Sequence, residues 1–366
     1  MQKVLFLPLL QMASGHHQVA DALICSLEKR APEILCKKIE FLSYVNERIE
    51  KMVTRTYMKW IYYAPQAYEQ TYKHFACKSS HAGNYQLQWY ERLFEKKMEQ
   101  LLEEEQPDLI VCTHAFPSFL VSRLKEKQKI FTPVINIYTD FFINNIWGRS
   151  GIDYHFVPTS LLKEELMGKY NIAGEQIYVT GIPVDECFEK GKKHANSFPP
   201  YPILISGGSN GLGDIRLLLQ KLKHATDFHF IVLCGKNEKL VQSLTSWGVK
   251  HIQPFPFVSS RKEMNRLYEW AAAVITKPGG ITVSEALCKN LPIFIHSALP
   301  GQEEVNLHYL VSQQLAQQLD PASSYEKQLL NILNNKQERN HWHHRIHTYH
   351  KSKEAVAWQK ILDLLK

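Results

Sequence analysis

The sequence has no run of 18 or more apolar residues, the length a helix needs to cross a bilayer, so no transmembrane helix is expected. No two cysteines stand in CxxC spacing. The seven that occur (25, 36, 77, 112, 187, 234, 288) are scattered and odd in number, which argues for reduced, buried thiols in a cytoplasmic protein. No glycine loop ends in GKS or GKT, which sets aside P-loop hydrolysis of nucleoside triphosphates. No RNA- or DNA-binding motif accompanies the formal charge of +7, so nucleic acid is not an expected partner; the surplus suits anionic lipid or anionic substrates equally well. Lys3 and the apolar Val4–Leu10 resemble a weak signal peptide, but the charged region is slight and the run short, and a buried first strand is the better reading.

What is present fits a soluble globular chain of two domains: 366 residues, 45% hydrophobic and 22% charged. Apolar, β-branched runs alternate with helical patterns. Val4–Leu7, Leu109–Thr113, Val134–Tyr138, Tyr154–Val157 and Ile177–Thr180 form one set; Ile203–Ser206, Phe228–Leu233, Val274–Thr276 and Ile293–Ile295 form a second. Short continuous runs between helices predict parallel sheets covered on both faces, a doubly wound α/β architecture. The polar Lys190–Lys193 and the stiff Phe198–Pro202 mark a boundary, after which the strand, glycine loop and helix pattern restarts. The expected domains are 1–190 and 200–340, two Rossmann-like units facing a cleft, with a C-terminal helical segment 341–366 whose last helix, about 353–366, could join either.

Segment 47–100 interrupts the alternation. It is helical in type and holds eleven aromatics between Tyr57 and Phe94, while Arg48, Lys51, Arg55 and Lys59 recur at helical spacing on one face. Two readings fit: a basic and aromatic helix lying in a membrane interface, or aromatics that pack the helices onto the first domain.

The most informative stretch is Thr276–Asn306. An apolar strand ends at Thr276, and Lys277-Pro278-Gly279-Gly280 follows, with Thr282 as a suitable helix N-cap. Free amides and the positive dipole end of that helix suit a diphosphate. Glu285, one turn inside, is placed to accept from the hydroxyls of a ribose. An ordinary strand–turn–helix remains the plain alternative for the loop alone. Gln302, Glu303 and Asn306 then gather paired donors and acceptors at a neighbouring strand end, as sugar hydroxyls require; helix capping is the other use for Glu303. A second loop, Ser206–Gly213, which includes Gly208, can hold phosphate or a domain contact. In the first domain, Gly15 and His16 follow the first strand and lead into a helix. A histidine there can act as a general base at neutral pH or simply line the loop; His17 is expected to point aside.

These stretches carry a resemblance. Gly15–Ala20, Thr139-Asp140-Phe141 with Ile146-Trp147, Thr180–Val184, Cys234–Asn237, Thr276–Ala286 and Pro300–Asn306 resemble, in order and spacing, the processive diacylglycerol glucosyltransferases and monogalactosyldiacylglycerol synthases of glycosyltransferase family 28. The resemblance implies the two-Rossmann GT-B fold and an inverting UDP-hexose transferase, of the EC 2.4.1 type, acting on a diacylglycerol-like lipid. It implies His16 as catalytic base, and Lys277, Gly279, Gly280 and Thr282 as the pyrophosphate site. Glu285 becomes the ribose ligand, Gln302 and Glu303 the sugar-reading pair, and Phe257-Val258 the uracil-contacting turn. Gly15 and Gly208 join the donor side; Asp140, Asn144 and Trp147 fall on the acceptor side. No cofactor and no metal are implied, since helix dipole and side chains stabilise the leaving UDP and Asp140 lacks a partner carboxylate. An anionic membrane surface would be the docking partner, on the inner face of the cell membrane. Two departures, Asn144 where the family commonly has histidine and a single glycine in Met12–Gly15, fall on the acceptor side and leave open a non-lipid acceptor or, through Asn144, a weakly catalytic UDP-sugar-binding regulator; epimerisation of the sugar on the same fold is a separate rival.

Overall fold

In a computed structural model, the two sets of apolar runs form two separate six-stranded parallel sheets. The structure describes all residues except 12–13, 64–84, 190–197, 208–214 and 300, and no side chains within 57–63 and 85–91. The chain divides into two compact units, Met1–Pro183 with Ser352–Lys366, and Val184–Lys351.

The first unit contains β1 (Lys3–Leu7), β2 (Leu35–Lys38), β3 (Leu109–Cys112), β4 (Val134–Ile137), β5 (Tyr154–Val157) and β6 (Ile177–Val179), in the order β2-β1-β3-β4-β5-β6. Every residue of β3 and β4 is buried, as helices on both faces of a parallel sheet demand. Register sets Val4 opposite Leu109 and Ile110 opposite Val134. Leu5, Leu7, Ile110, Leu120 and Val134 share one core with Met98 and Leu101 from the long helix Tyr85–Glu105.

The second unit contains β7 (Tyr201–Ser206), β8 (Phe228–Leu233), β9 (Ile252–Phe255), β10 (Ala273–Thr276), β11 (Ile293–Ile295) and β12 (Gln317–Gln318), in the order β12-β11-β10-β7-β8-β9. In each sheet the strand order reverses once, between β1 and β3 in one and between β7 and β10 in the other. Ligands of open α/β sheets bind beyond the strand C-termini at such a reversal.

Three strands had no counterpart among the expected runs: β2, β9 and β12. All are sheet edges. An edge strand is covered less, so β2 alternates between exposed and half-buried residues and β9 accommodates Pro254. The division of the chain comes at Pro183 because Phe188, on the short helix Glu186–Glu189, is buried against Tyr268 of the second unit, with ring centroids 5.7 Å apart. The C-terminal segment is split. The helix Lys336–Lys351 belongs to the second unit, whereas Ala357–Leu364 returns to the first. There Ile361 is fully buried, the Arg30 guanidinium lies 3.9 Å from the Trp358 ring, and Glu354 accepts from Lys163 and from the Val179 amide.

Candidate active site

At the first reversal point, the loop after β1 delivers His16 into the first turn of the helix Gly15–Arg30, beside the residues that end β3 and β4. The Thr113 carbonyl oxygen lies 2.8 Å from His16 Nδ1, and Thr139 Oγ1 lies 2.9 Å from the same atom. A carbonyl can only accept, so Nδ1 carries the hydrogen and Nε2 keeps its lone pair. Burial holds the His16 pKa below the ordinary histidine value, partly opposed by the charge of Asp140 and the Thr113 bond. The ring is therefore neutral near pH 7, a base oriented by its other nitrogen.

His114, unremarked in the sequence, stands edge-on to His16 with ring centroids 4.6 Å apart. Its Nδ1 accepts from the Phe116 amide and caps the helix Ala115–Glu126, while burial pushes its pKa well down. His17 is turned away, with Nε2 toward the Leu10 carbonyl and Nδ1 3.8 Å from Glu40. The loop before His16 is tethered from outside the sheet: buried Glu50 accepts from the Gln11 amide at 2.6 Å and from Ser43 Oγ at 2.7 Å. Glu50 belongs to the helix Glu47–Tyr63, whose Arg48, Lys51 and Arg55 are exposed together with Met52 and Val53. Lys59 lies where side chains are not described.

Asp140 follows Thr139 and is half-buried beside His16. Asn144 serves its own turn: its Oδ1 accepts from the Ile146 amide and its carbonyl accepts from Arg149. Trp147 is buried against Tyr138, with centroids 4.6 Å apart, and so packs the core beneath this loop instead of facing outward.

At the second reversal point the helix after β10 begins earlier than the sequence suggests. Gly279, with extended backbone, is the N-cap, and the helix runs Gly280–Cys288. Thr282 is therefore the third helical residue and not the cap. Val283 N donates to the Gly279 carbonyl at 3.2 Å, which leaves the amides of Gly280, Ile281 and Thr282 as first-turn donors with no partner inside the helix. An added Cβ at Gly279 would meet nothing within 4 Å, so open space adjoins those amides. Lys277 is buried, with Nζ 3.9 Å from Glu303 Oε1; Glu303 Oε2 accepts from the Leu299 amide at 2.6 Å. Helix capping falls to Glu304, which accepts from the Gly301 amide at 3.2 Å. Gly301 has φ of 94°, a region that favours glycine. Gln302 opens the helix Gln302–Ser312, and Asn306 is buried within it. Gly208 lies outside the described residues.

Glu285 is buried and accepts from the Tyr268 hydroxyl at 2.9 Å. Burial raises its pKa to about 7, moderated by the Tyr268 bond and by Arg261, while Asp185 raises it further. Tyr268 lies on the helix Arg261–Trp270, which closely follows the turn holding Phe257 and half-buried Val258. Phe257 is exposed, with Lys236 Nζ 5.6 Å from its ring. Tyr268, His114 and Thr113 are the neighbours the sequence did not disclose. Position at a strand end was the only available sign for Thr113 and His114, and Tyr268 had none. Among the described residues no group of three or more His, Cys, Asp or Glu could hold a metal ion, and no helix is long and apolar enough to cross a membrane.

Comparison with known proteins agrees with this division of the chain. Residues 16–184 match the monogalactosyldiacylglycerol (MGDG) synthase family, and residues 202–357 match the glycosyltransferase family 28 C-terminal domain. The chain is 44% identical to the uncharacterized glycosyltransferase YkoN of Bacillus subtilis (strain 168) over 317 residues, 86% of this chain and 83% of that one. It is 34% identical over 229 residues to a processive diacylglycerol beta-glucosyltransferase of Bacillus cereus (strain B4264), a match spanning 60% of this chain and 58% of that relative. In fold it is similar to MurG of Acinetobacter baumannii, with a TM-score of 0.60 and 15% identity over 100% of this chain and 99% of that one. The chain is therefore an enzyme of glycosyltransferase family 28, with the GT-B fold and a first half of the monogalactosyldiacylglycerol synthase type.

Proposed function

We propose that the enzyme transfers a hexose, glucose or galactose, from a UDP-sugar to a diacylglycerol-type lipid with inversion at the anomeric carbon. The observation that carries the catalytic half of this reading is the fixed tautomer of His16, whose Nδ1 is committed to the Thr113 carbonyl and whose Nε2 is left basic. The acceptor hydroxyl oxygen attacks the anomeric carbon while His16 Nε2 takes its proton. The bond from that carbon to the UDP oxygen breaks, and UDP leaves with the electron pair. Lys277 and the amides of Gly280, Ile281 and Thr282 stabilise the charge developing on the diphosphate, the service a divalent cation supplies elsewhere, so the reaction needs no metal. Glu285 holds the ribose, the 257–258 turn the uracil, and Gln302 with Glu303 the hexose.

The lipid acceptor rests on the match to the diacylglycerol glucosyltransferases and on the exposed Arg48, Lys51, Met52 and Arg55, a basic and partly apolar face suited to the anionic inner surface of the cell membrane. A mass-spectrometric product screen with mixed UDP-sugars and total membrane lipid tests the whole. New hexosylated diacylglycerols are expected. Sugar transfer only to water-soluble acceptors would remove the lipid, conversion of UDP-hexose without any acceptor would indicate epimerisation, and tight UDP-sugar binding without turnover would indicate a regulatory protein.

A further inference from the structure

The loops at the C-terminal edge of the second sheet follow the strand order, and this orders the donor. Toward β9 lie the 256–260 turn and Tyr268, which bonds Glu285: the nucleoside side. Toward β11 lie Lys277 and Glu303, the diphosphate and sugar side. His296 is the first residue after β11, and its amide donates to the Thr276 carbonyl at 3.3 Å, seating it beside the end of β10. Its Nδ1 lies 3.0 Å from Ser297 Oγ, while Nε2 is enclosed and has no hydrogen-bond partner among the described residues. A buried polar atom left unmatched costs stability, so a partner is expected at that point.

We propose that His296 is a donor-binding residue whose Nε2 hydrogen-bonds a hydroxyl of the hexose carried by the nucleotide. The inference rests on the UDP-hexose reading above and assigns the sugar a contact beyond Gln302 and Glu303. Burial and the neighbouring Lys277 charge bring the His296 pKa down to about 4, so the ring is neutral under working conditions. A neutral ring adds nothing to neutralising a diphosphate, which Lys277 and the helix amides already face. It suits a neutral hydroxyl, because an imidazole nitrogen can donate or accept according to tautomer.

The test compares wild type, His296→Ala and His296→Asn by calorimetry with UDP and by transfer kinetics with UDP-glucose and UDP-galactose. The alanine variant is expected to bind UDP within about twofold of wild type, to lose about tenfold in kcat/KM with the preferred donor, and to show a changed ratio between the two donors. Asparagine, which keeps a polar atom, should recover part of the loss. Wild-type kcat/KM and donor ratio in both variants would overturn the assignment, as would a parallel loss of UDP affinity, which would place His296 at the phosphate or in the loop's structure. Failure of the wild type to bind UDP would instead overturn the donor reading itself, and this assignment with it.

Discussion

Burial acts on His16 and Glu285 in opposite directions, and each shift has a measurable consequence. In His16 it disfavours the imidazolium, so the base form persists below the usual histidine range. The acid limb of kcat against pH is expected to fall below about 6.5, the ordinary histidine value. His16→Ala should lower kcat by about 10²- to 10⁴-fold while leaving UDP affinity nearly intact in calorimetry; wild-type transfer in that variant would remove His16 from the mechanism. In Glu285 burial disfavours the carboxylate, raising the pKa from 4.5 to about 7. A folded-state pKa above the unfolded value means the folded chain holds the proton more tightly. The contribution of Glu285 to stability is then full below 4.5 and is lost as pH rises through about 7, by about 3 kcal/mol at 1.36 kcal/mol per unit. Glu285→Gln removes that cost. Urea unfolding should show the variant gaining on wild type between about pH 5 and about pH 8, while UDP affinity falls, a trade of stability for function. Glu285 and His16 themselves stood out in the sequence because each follows a glycine loop at a strand end. Their partners did not: Thr113 is 97 positions from His16 and Tyr268 17 from Glu285, on other elements.

Among the elements, the loops at 277–280 and 299–301 separate a glycine the backbone requires from one it does not. Gly301 and its φ of 94° answer a backbone demand, whereas Gly279 has ordinary φ and open space where a Cβ would stand. Gly279→Ala should therefore leave the melting temperature within about 2 °C of wild type, as expected of a change that creates neither strain nor a cavity. It should weaken UDP binding about tenfold, one lost contact's worth. A melting temperature that falls along with the affinity would give Gly279 a structural role instead. The helix Glu47–Tyr63 makes a second case. Its basic residues were expected to share a face, and Arg48, Lys51 and Arg55 are exposed, but sequence left open whether that face was covered. Replacing all three by alanine should reduce binding to anionic vesicles by about 3 kcal/mol, near 1 kcal/mol per residue, in a sedimentation assay, with no change on neutral vesicles. Central strands were legible because both of their faces are buried and the run must be apolar throughout. Edge strands β2, β9 and β12 were not, since one solvated side relaxes that requirement.

For the whole molecule, the C-terminal return has a measurable consequence for stability. Deleting 352–366 would strip Ile361, Trp358 and Glu354 from the first unit. The loss is expected to be about 3–5 kcal/mol from one buried aliphatic chain, a cation–π contact and the Glu354 bonds. Transfer activity should then fail at a lower temperature than in the full chain, while UDP affinity, which the proposed donor site assigns to the second unit, stays unchanged. Activity equally heat-stable with and without the segment would show that the return contributes little. The sequence by itself determined two parallel α/β units, the glycine loop that opens a helix after Thr276 and a histidine at the first strand's end, because each follows from burial periodicity or glycine placement within a few adjacent residues. Tertiary structure alone decided that the last helix joins the first unit, that Thr113 sets the His16 tautomer, that Tyr268 holds Glu285, and that His296 Nε2 is enclosed without a hydrogen-bond partner among the described residues. Those outcomes depend on contacts between residues far apart in the chain, such as Glu354 and Val179, which no local pattern encodes.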